Sequence, residues 1–212
     1  MNMQLKMKKM TQEYLPLTIF VSVLFIMGVV FGALLVNALS LEQKQDMYRY
    51  LGSFFNDLQG VAIDASDSFK QVFGMHLKWI LLIWVLGLSV VGLPLVFILI
   101  FLKGVLVGFS VGYLVSELSW KGMLFALASI APQNILIIPS LILSSVLAVV
   151  FSMFVIKNRL IERKGSVSQA FTQYSFGMIG FMFVLFGASL LEAFLSPVLM
   201  KWVTPIIQTA AG

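Results

Sequence analysis

The chain has 212 residues, of which 60% are hydrophobic and only 11% are charged, and its mean hydropathy is +1.01. These values exclude an ordinary soluble protein and indicate an integral membrane protein. Cysteine is absent, which excludes disulfide frameworks, thiolate nucleophiles and cysteine metal sites. The net charge of +5 comes mostly from two short basic clusters, which in a membrane protein indicate topology rather than nucleic-acid binding.

The first predicted element is a membrane span over residues 15–39, preceded by a short tail, residues 1–14, that carries Lys6, Lys8 and Lys9. A helix of about 25 residues reaches ~37 Å, which is enough to cross a tilted bilayer. The run is also longer than the apolar region of a cleavable signal peptide. We therefore predict a retained first span with its tail in the cytoplasm.

An amphipathic segment occupies the next polar stretch, residues 40–75, in which acidic residues slightly outnumber basic ones. This balance favours the outer side of the membrane. Apolar residues recur here at the spacing of one helical face, so the segment is predicted to lie on the outer membrane surface or to dock against a partner. The face consists of Met47, Leu51, Phe54, Phe55 and Leu58.

Residues 76–115 form an apolar run about twice as long as one span, which predicts a two-span hairpin. Its turn is placed either in GLSVVGLP, which contains Gly87, Gly92 and Pro94, or in FLKG, which contains Lys103. We interpret Lys103 as the marker of a cytoplasmic turn, with its ammonium group snorkelling to the interface. In the alternative, Lys103 lies inside the membrane, where a lysine costs about 2.5 to 3.5 kcal/mol and needs a function or a carboxylate partner.

Glycines recur at intervals of four in two of the predicted spans. Gly104, Gly108 and Gly112 line one helical face, and Gly28 and Gly32 repeat the pattern in the first span. A face without side chains lets another helix backbone approach closely, so both stripes predict helix packing. Packing within one subunit is favoured over a contact between subunits of a homo-oligomer.

The stretch SIAPQNILIIPS predicts a break within the apolar run 123–156, which is too long for one simple span. A break near Pro132 and Pro139 would give a short re-entrant or broken segment followed by the fourth span. The amides of Gln133 and Asn134 would then satisfy backbone groups that the prolines free. The functional alternative to this architectural elbow is a substrate or partner site, as in transporters with broken helices.

A basic loop, residues 157–173, contains KNRLIERKG and is placed in the cytoplasm by the positive-inside rule. The fifth span, residues 174–195, returns the chain to the outer side, where residues 196–212 form a tail. Glu192 is the only acidic residue inside a predicted span. We expect it near the outer face, at a different depth from Lys103.

Together these elements predict a single membrane domain of the all-α class. It is a polytopic helix bundle of about five spans with one broken or re-entrant helix, its amino terminus inside and its carboxyl terminus outside. No polar stretch is long enough to form a separate soluble domain.

The sequence offers no recognisable catalytic constellation. The single histidine, His76, is expected at the membrane interface at the start of the second span. Intramembrane serine proteolysis would need a buried histidine beside a serine, and a zinc site would need several ligands. We therefore predict no enzyme activity, no cofactor, no metal and no nucleic-acid partner.

Four segments carry a resemblance to a known family: VVFGALLVNAL, YRYLGSFF, WVLGLSVVGLPLVFILIFLKGVLVGFSVGYLV and ALASIAPQNILIIP. Taken in this order over nearly the whole chain, they resemble the stage II sporulation protein M family of endospore-forming bacteria. The resemblance implies a five-span protein of the septal membrane that acts when the mother-cell membrane migrates around the forespore and engulfs it.

The resemblance also implies partners. In that family the protein recruits and stabilises stage II sporulation proteins P and D, which degrade peptidoglycan, so the chemistry belongs to the partners. The expected function is thus that of a non-enzymatic scaffold in the lipid bilayer of the septum. A transporter or channel subunit that uses the break between Pro132 and Pro139 is the alternative.

Overall fold

The structure is a computed structural model that describes residues 3–60, 65–89, 91–161 and 167–208. All regular structure in these ranges is helical. A 3-10 turn, Val36–Ala38, follows the first helix, and two π-helical turns, Ile156–Ile161 and Leu191–Leu195, follow the fifth and sixth helices. The helices are α1 Met3–Leu35, α2 Leu41–Gly60, α3 Ala65–Gly87, α4 Gly92–Ser129, α5 Ala131–Val155, α6 Val167–Leu190 and α7 Ser196–Gln208.

Five helical stretches in the described residues are long and apolar enough to cross a membrane. The predicted all-α membrane bundle of about five spans is therefore confirmed. Residues predicted to lie in the outer tail form α7, which extends the fifth stretch. The stretches are Tyr14–Ala38, Ser66–Gly87, Gly92–Ser129, Ala131–Asn158 and Ser168–Pro205.

The turn between the second and third spans lies between Gly87 and Gly92. A side chain on Gly92 would overlap the carbonyl oxygen of Leu86, so this tight turn requires glycine. The Ser152 hydroxyl of α5 donates a hydrogen bond of 3.1 Å to the Ser89 carbonyl oxygen and ties the turn to the bundle. Our interpretation of Lys103 as a turn residue is therefore wrong, because Lys103 lies well inside α4.

The break is also placed differently from the prediction. Ser119 has a φ of 53°, which interrupts α4, and α4 ends at Ser129, just before α5 begins. Pro132 lies in the first turn of α5, where a missing N–H is tolerated, and Pro139 continues that helix. The chain is thus interrupted on both sides of residues 120–129, and not between the two prolines.

The glycine stripes of α1 and α4 face each other. An added Cβ on Gly28 would lie 3.2 Å from the Cα of Gly104, and one on Gly112 would lie 2.9 Å from the Cα of Ala33. A Cβ on Gly32 or Gly108 would overlap a backbone carbonyl of the opposite helix. The backbones of α1 and α4 are therefore in contact along these glycines. We call this contact the seam, and it shows that the stripes pack within one subunit.

Three segments fold together over one end of the bundle: α2, residues 120–129 and α7. We call them the cap. Phe125 and Ala126 form a buried cluster with Leu114 of α4, against which Leu51, Phe54, Met200 and Val203 pack. The rings of Phe54 and Phe125 are 6.4 Å apart and meet edge to face.

Part of the predicted amphipathic face thus packs against the chain itself. Leu51 and Phe54 contact this cluster, and Met47 is half-buried beside a cleft of α4. The predictions for the side chains of Phe55 and Leu58 lie outside the described part of the chain. The predictions for residues 162–166 of the basic loop and 209–212 of the tail also lie outside the described residues.

The sidedness of the membrane can be tested by cysteine labelling, since the native chain contains no cysteine. Gln45 on α2 and Lys157 at the end of the stretch Ala131–Asn158 are both exposed, and they lie at opposite ends of the bundle. We expect Gln45→Cys to react with an impermeant maleimide on intact cells and Lys157→Cys to react only with a permeant one. Equal labelling of both by the impermeant reagent would contradict five crossings.

Candidate functional site

His76 is buried in the bundle, with 2% of its surface exposed, and is not at the interface as expected. Its Nδ1 lies 3.0 Å from the Ser189 hydroxyl of α6. That hydroxyl donates its only proton to the Leu185 carbonyl oxygen at 2.8 Å, so it must accept the Nδ1–H of His76. The bond fixes the ring orientation and leaves Nε2 for another partner.

That partner is Glu192. Its Oε2 lies 3.4 Å from Nε2 of His76, and both side chains are largely buried. Nδ1 already carries a proton. A hydrogen bond between Nε2 and the carboxyl group therefore requires one further proton, on either Nε2 or the carboxyl group. Glu192 belongs to the π-helical turn Leu191–Leu195, and such turns are frequent at functional sites.

Lys103 completes this group from α4. Its Nζ lies over the ring of Trp79, 5.5 Å from the ring centroid, which stabilises the cation. Lys103 also interacts electrostatically with both His76 and Glu192. Our expectation that Glu192 lies at another depth from Lys103 is therefore wrong. We call His76, Lys103, Ser189 and Glu192 the buried charge cluster.

The cluster lies near the middle of the membrane-spanning region. Gly104, the neighbour of Lys103, packs against Gly28, which is close to the midpoint of Tyr14–Ala38. Ionisable groups at this depth are costly unless they are paired, and they usually serve a function. The cluster joins the second, third and fifth spans and can hold one proton between His76 and Glu192.

This arrangement differs from that of a serine nucleophile. His76 and Ser189 nevertheless form a pair of a buried histidine and a serine, so the expectation that no such pair is present is wrong. A nucleophilic serine donates its proton to the neighbouring histidine, whereas the Ser189 hydroxyl donates to the Leu185 carbonyl oxygen. Among the described residues, no group of three or more histidine, cysteine or acidic side chains could hold a metal ion.

The amides at the helix break serve the backbone. Gln133 donates to the Ser129 carbonyl oxygen, and Asn134 donates to the Ile130 carbonyl oxygen at 2.7 Å. Gln133 also accepts a hydrogen bond of 2.9 Å from the Ser196 hydroxyl and so links the break to α7. The two amides thus cap the end of α4. They do not bind the carbonyl oxygens of residues 128 and 135, which are the ones that Pro132 and Pro139 leave without a backbone donor, so this detail of the prediction is wrong.

The comparisons with known proteins identify the family. A profile described as stage II sporulation protein M matches residues 21–197, which include most of the first span and all of the others up to the start of α7. The chain belongs to the stage II sporulation protein M family. No curated protein and no solved structure gives a significant match.

Family membership makes the chain a multi-pass sporulation membrane protein. The stage II sporulation protein M family is not a known enzyme family. Sequence reasoning named both charged members of the cluster, Lys103 and Glu192, but placed them apart. It missed the roles of His76 and Ser189, which only the packing of α3 against α6 brings together.

Proposed function

We propose that this member of the stage II sporulation protein M family is a non-enzymatic scaffold of the sporulation septum. It recruits and stabilises the peptidoglycan-degrading stage II sporulation proteins P and D, and thereby supports septum migration and forespore engulfment. Family membership supports a sporulation role, and the cap supports a role in binding. The cap end is the outer side of the membrane in this proposal, where peptidoglycan lies.

The observation that carries the proposal is the pair of exposed tryptophans on the cap. Trp120 lies on residues 120–129 and is 61% exposed, and Trp202 lies on α7 and is 77% exposed. Both segments are held in place by the cluster around Phe125. Aromatic side chains on a rigid support are typical anchors of protein interfaces.

Co-purification from sporulating cells tests this proposal. We expect a tagged wild-type chain to carry stage II sporulation proteins P and D with it. The double variant Trp120→Ala, Trp202→Ala should be present at a normal level but should lose most of both partners. The matched control is Phe176→Ala, Phe183→Ala, since these rings of α6 are 72% and 74% exposed but lie away from the cap. Equal recovery with both variants would contradict the proposal.

The buried charge cluster favours a second candidate function, that of a transporter or channel subunit. A histidine and a glutamate that share a proton at mid-membrane depth are typical of proton relays in transporters. In this alternative, flux depends on His76 and Glu192. The break around Pro132 contributes less, because the amides of Gln133 and Asn134 face the backbone.

The double variant Gln133→Ala, Asn134→Ala tests whether the helix break itself is a transport site. It leaves two part-buried carbonyl oxygens without side-chain donors, at a cost of up to about 1 to 3 kcal/mol each. We expect a lower level of folded protein in membranes than for the wild type. We expect no solute or proton flux in vesicles reconstituted with either the wild type or the variant. Gln173→Ala, which removes an exposed amide, is the control. A normal protein level together with a lost flux would favour transport and reject the scaffold.

A further inference from the structure

A cleft of about 440 Å³ opens between α2 and α4 at the cap end. Its interior is apolar, with Leu51 and Phe54 on one side and Phe109 and Leu114 on the other. Asp46 and Tyr50 of α2 also line it, and both are exposed at the surface. The cleft therefore combines an apolar interior with an acidic and aromatic entrance.

Tyr113 is the feature of the cleft that calls for a ligand. It is 95% buried, with 5% of its surface exposed, and it lines the cleft. Its hydroxyl has no hydrogen-bond partner among the described residues. A buried hydroxyl in a native protein is normally paired, so a bound group that hydrogen-bonds to it would gain stability.

The electrostatics of the cleft favour a cation. Glu117 and Tyr48 are close enough to act electrostatically on the Tyr113 hydroxyl. Asp46 lies 3.4 Å from Arg49, but both side chains are more than two-thirds exposed. Such a surface pair is weak and can exchange its partner. Tyr50, which lines the cleft, adds an aromatic face, and such faces attract cations.

We infer that this cleft binds a lysine or arginine side chain that an apolar segment of a partner protein presents. The aliphatic stem of such a side chain fits the interior, and its N–H groups donate to the Tyr113 oxygen and to the acidic entrance. The inference rests on the proposed function, in which the cap binds protein partners. It adds the chemistry by which one of them is recognised.

A peptide-binding measurement tests the cleft directly. The probe is a fluorescent peptide with one arginine between leucines, and its matched partner carries citrulline, which has nearly the same shape but no charge. The full-length protein is held in phosphatidylcholine nanodiscs, and binding is followed by fluorescence anisotropy. We expect the arginine peptide to bind about tenfold more tightly than the citrulline peptide.

The variant Tyr113→Phe should remove most of that difference. Because the hydroxyl has no partner in the described chain, phenylalanine preserves the packing, and an unchanged unfolding temperature would verify this. Tyr14→Phe, at the opposite end of the bundle, should bind like the wild type. Equal affinity for the two peptides, or an unchanged preference in Tyr113→Phe, would overturn the inference.

Two further outcomes separate the inference from alternatives. If phosphatidylethanolamine nanodiscs suppress peptide binding, the cleft takes a lipid amine, and the protein-partner inference is wrong. In sporulating cells, we expect Asp46→Asn, Tyr113→Phe to lose a partner. If that variant keeps both partners while Trp120→Ala, Trp202→Ala loses them, the inference about the cleft is wrong and the proposed function is retained. If neither variant loses a partner, both the inference about the cleft and the proposed function are wrong.

Discussion

Replacing Gly108 by leucine is expected to reduce the folded protein recovered from membranes several-fold. A Cβ at this position would overlap the carbonyl oxygen of Val29, which belongs to the α1 backbone and cannot move aside as a side chain would. Overpacking a tight site costs about 1 to 3 kcal/mol, and leucine adds further atoms to the same contact. The first and third spans would have to separate along the seam.

The control for Gly108→Leu is Gly180→Leu. An added Cβ at Gly180 meets nothing within 4 Å, and this glycine lies on an exposed face of α6. Both substitutions replace a helical glycine by leucine, so they share the gain in helix propensity. Size-exclusion chromatography of fluorescent fusions in detergent should show a monodisperse peak for Gly180→Leu and a largely lost peak for Gly108→Leu. Similar peaks would contradict the tight seam.

Replacing Glu192 by alanine should also have a large effect. The substitution removes the only acidic member of the buried charge cluster and leaves His76 and Lys103 without a carboxylate. Removing one partner of a buried hydrogen-bonding group costs about 1 to 3 kcal/mol. We expect the midpoint of thermal unfolding in detergent to fall by several degrees at least. Glu42→Ala, an exposed acid on α2, should leave it unchanged.

The triple variant His76→Leu, Lys103→Met, Glu192→Leu distinguishes a structural from a transport role for the cluster. It removes all the ionisable groups together and replaces them by apolar groups of similar volume, which often restores stability. In the scaffold function, the triple variant recovers stability and retains the partners. A stable triple variant that loses a flux present in the wild type would instead favour transport.

Most of the membrane architecture follows from local sequence patterns. Long apolar runs set the number of spans, because a bilayer requires about 20 apolar residues per helix. The turn of the hairpin could not be located in this way, since both GLSVVGLP and FLKG carry turn signals and the interpretation of Lys103 as a turn marker was wrong. Packing against α5 through Ser152 and the close approach of Gly92 to Leu86 distinguish the two.

Predicting the buried charge cluster from the sequence required the correct choice of turn. With the turn between Gly87 and Gly92, His76 and Lys103 are the same number of residues from it and therefore lie at similar depth. This symmetry was readable from the sequence once the turn was placed correctly. The position of Glu192 was not, because it depends on how α6 packs against α3.

The cap, too, could be predicted only in part from the sequence. Spacing along α2 predicted an apolar face through Met47, Leu51 and Phe54, and two of these residues pack on the cap cluster. The break at Ser119 has no sequence signal, since a positive φ is usual only for glycine and a few polar residues. Without that break, residues 120–129 cannot be placed on the cap.

Site-specific photocross-linking in sporulating cells tests most directly whether the cap binds the partners. A photoreactive amino acid is placed at Trp202 on the cap or at Phe183 on α6, which are 77% and 74% exposed. The scaffold function predicts adducts with stage II sporulation protein P or D from position 202 and none from position 183. Adducts from position 183 alone, or from neither position in a normally abundant protein, would contradict it.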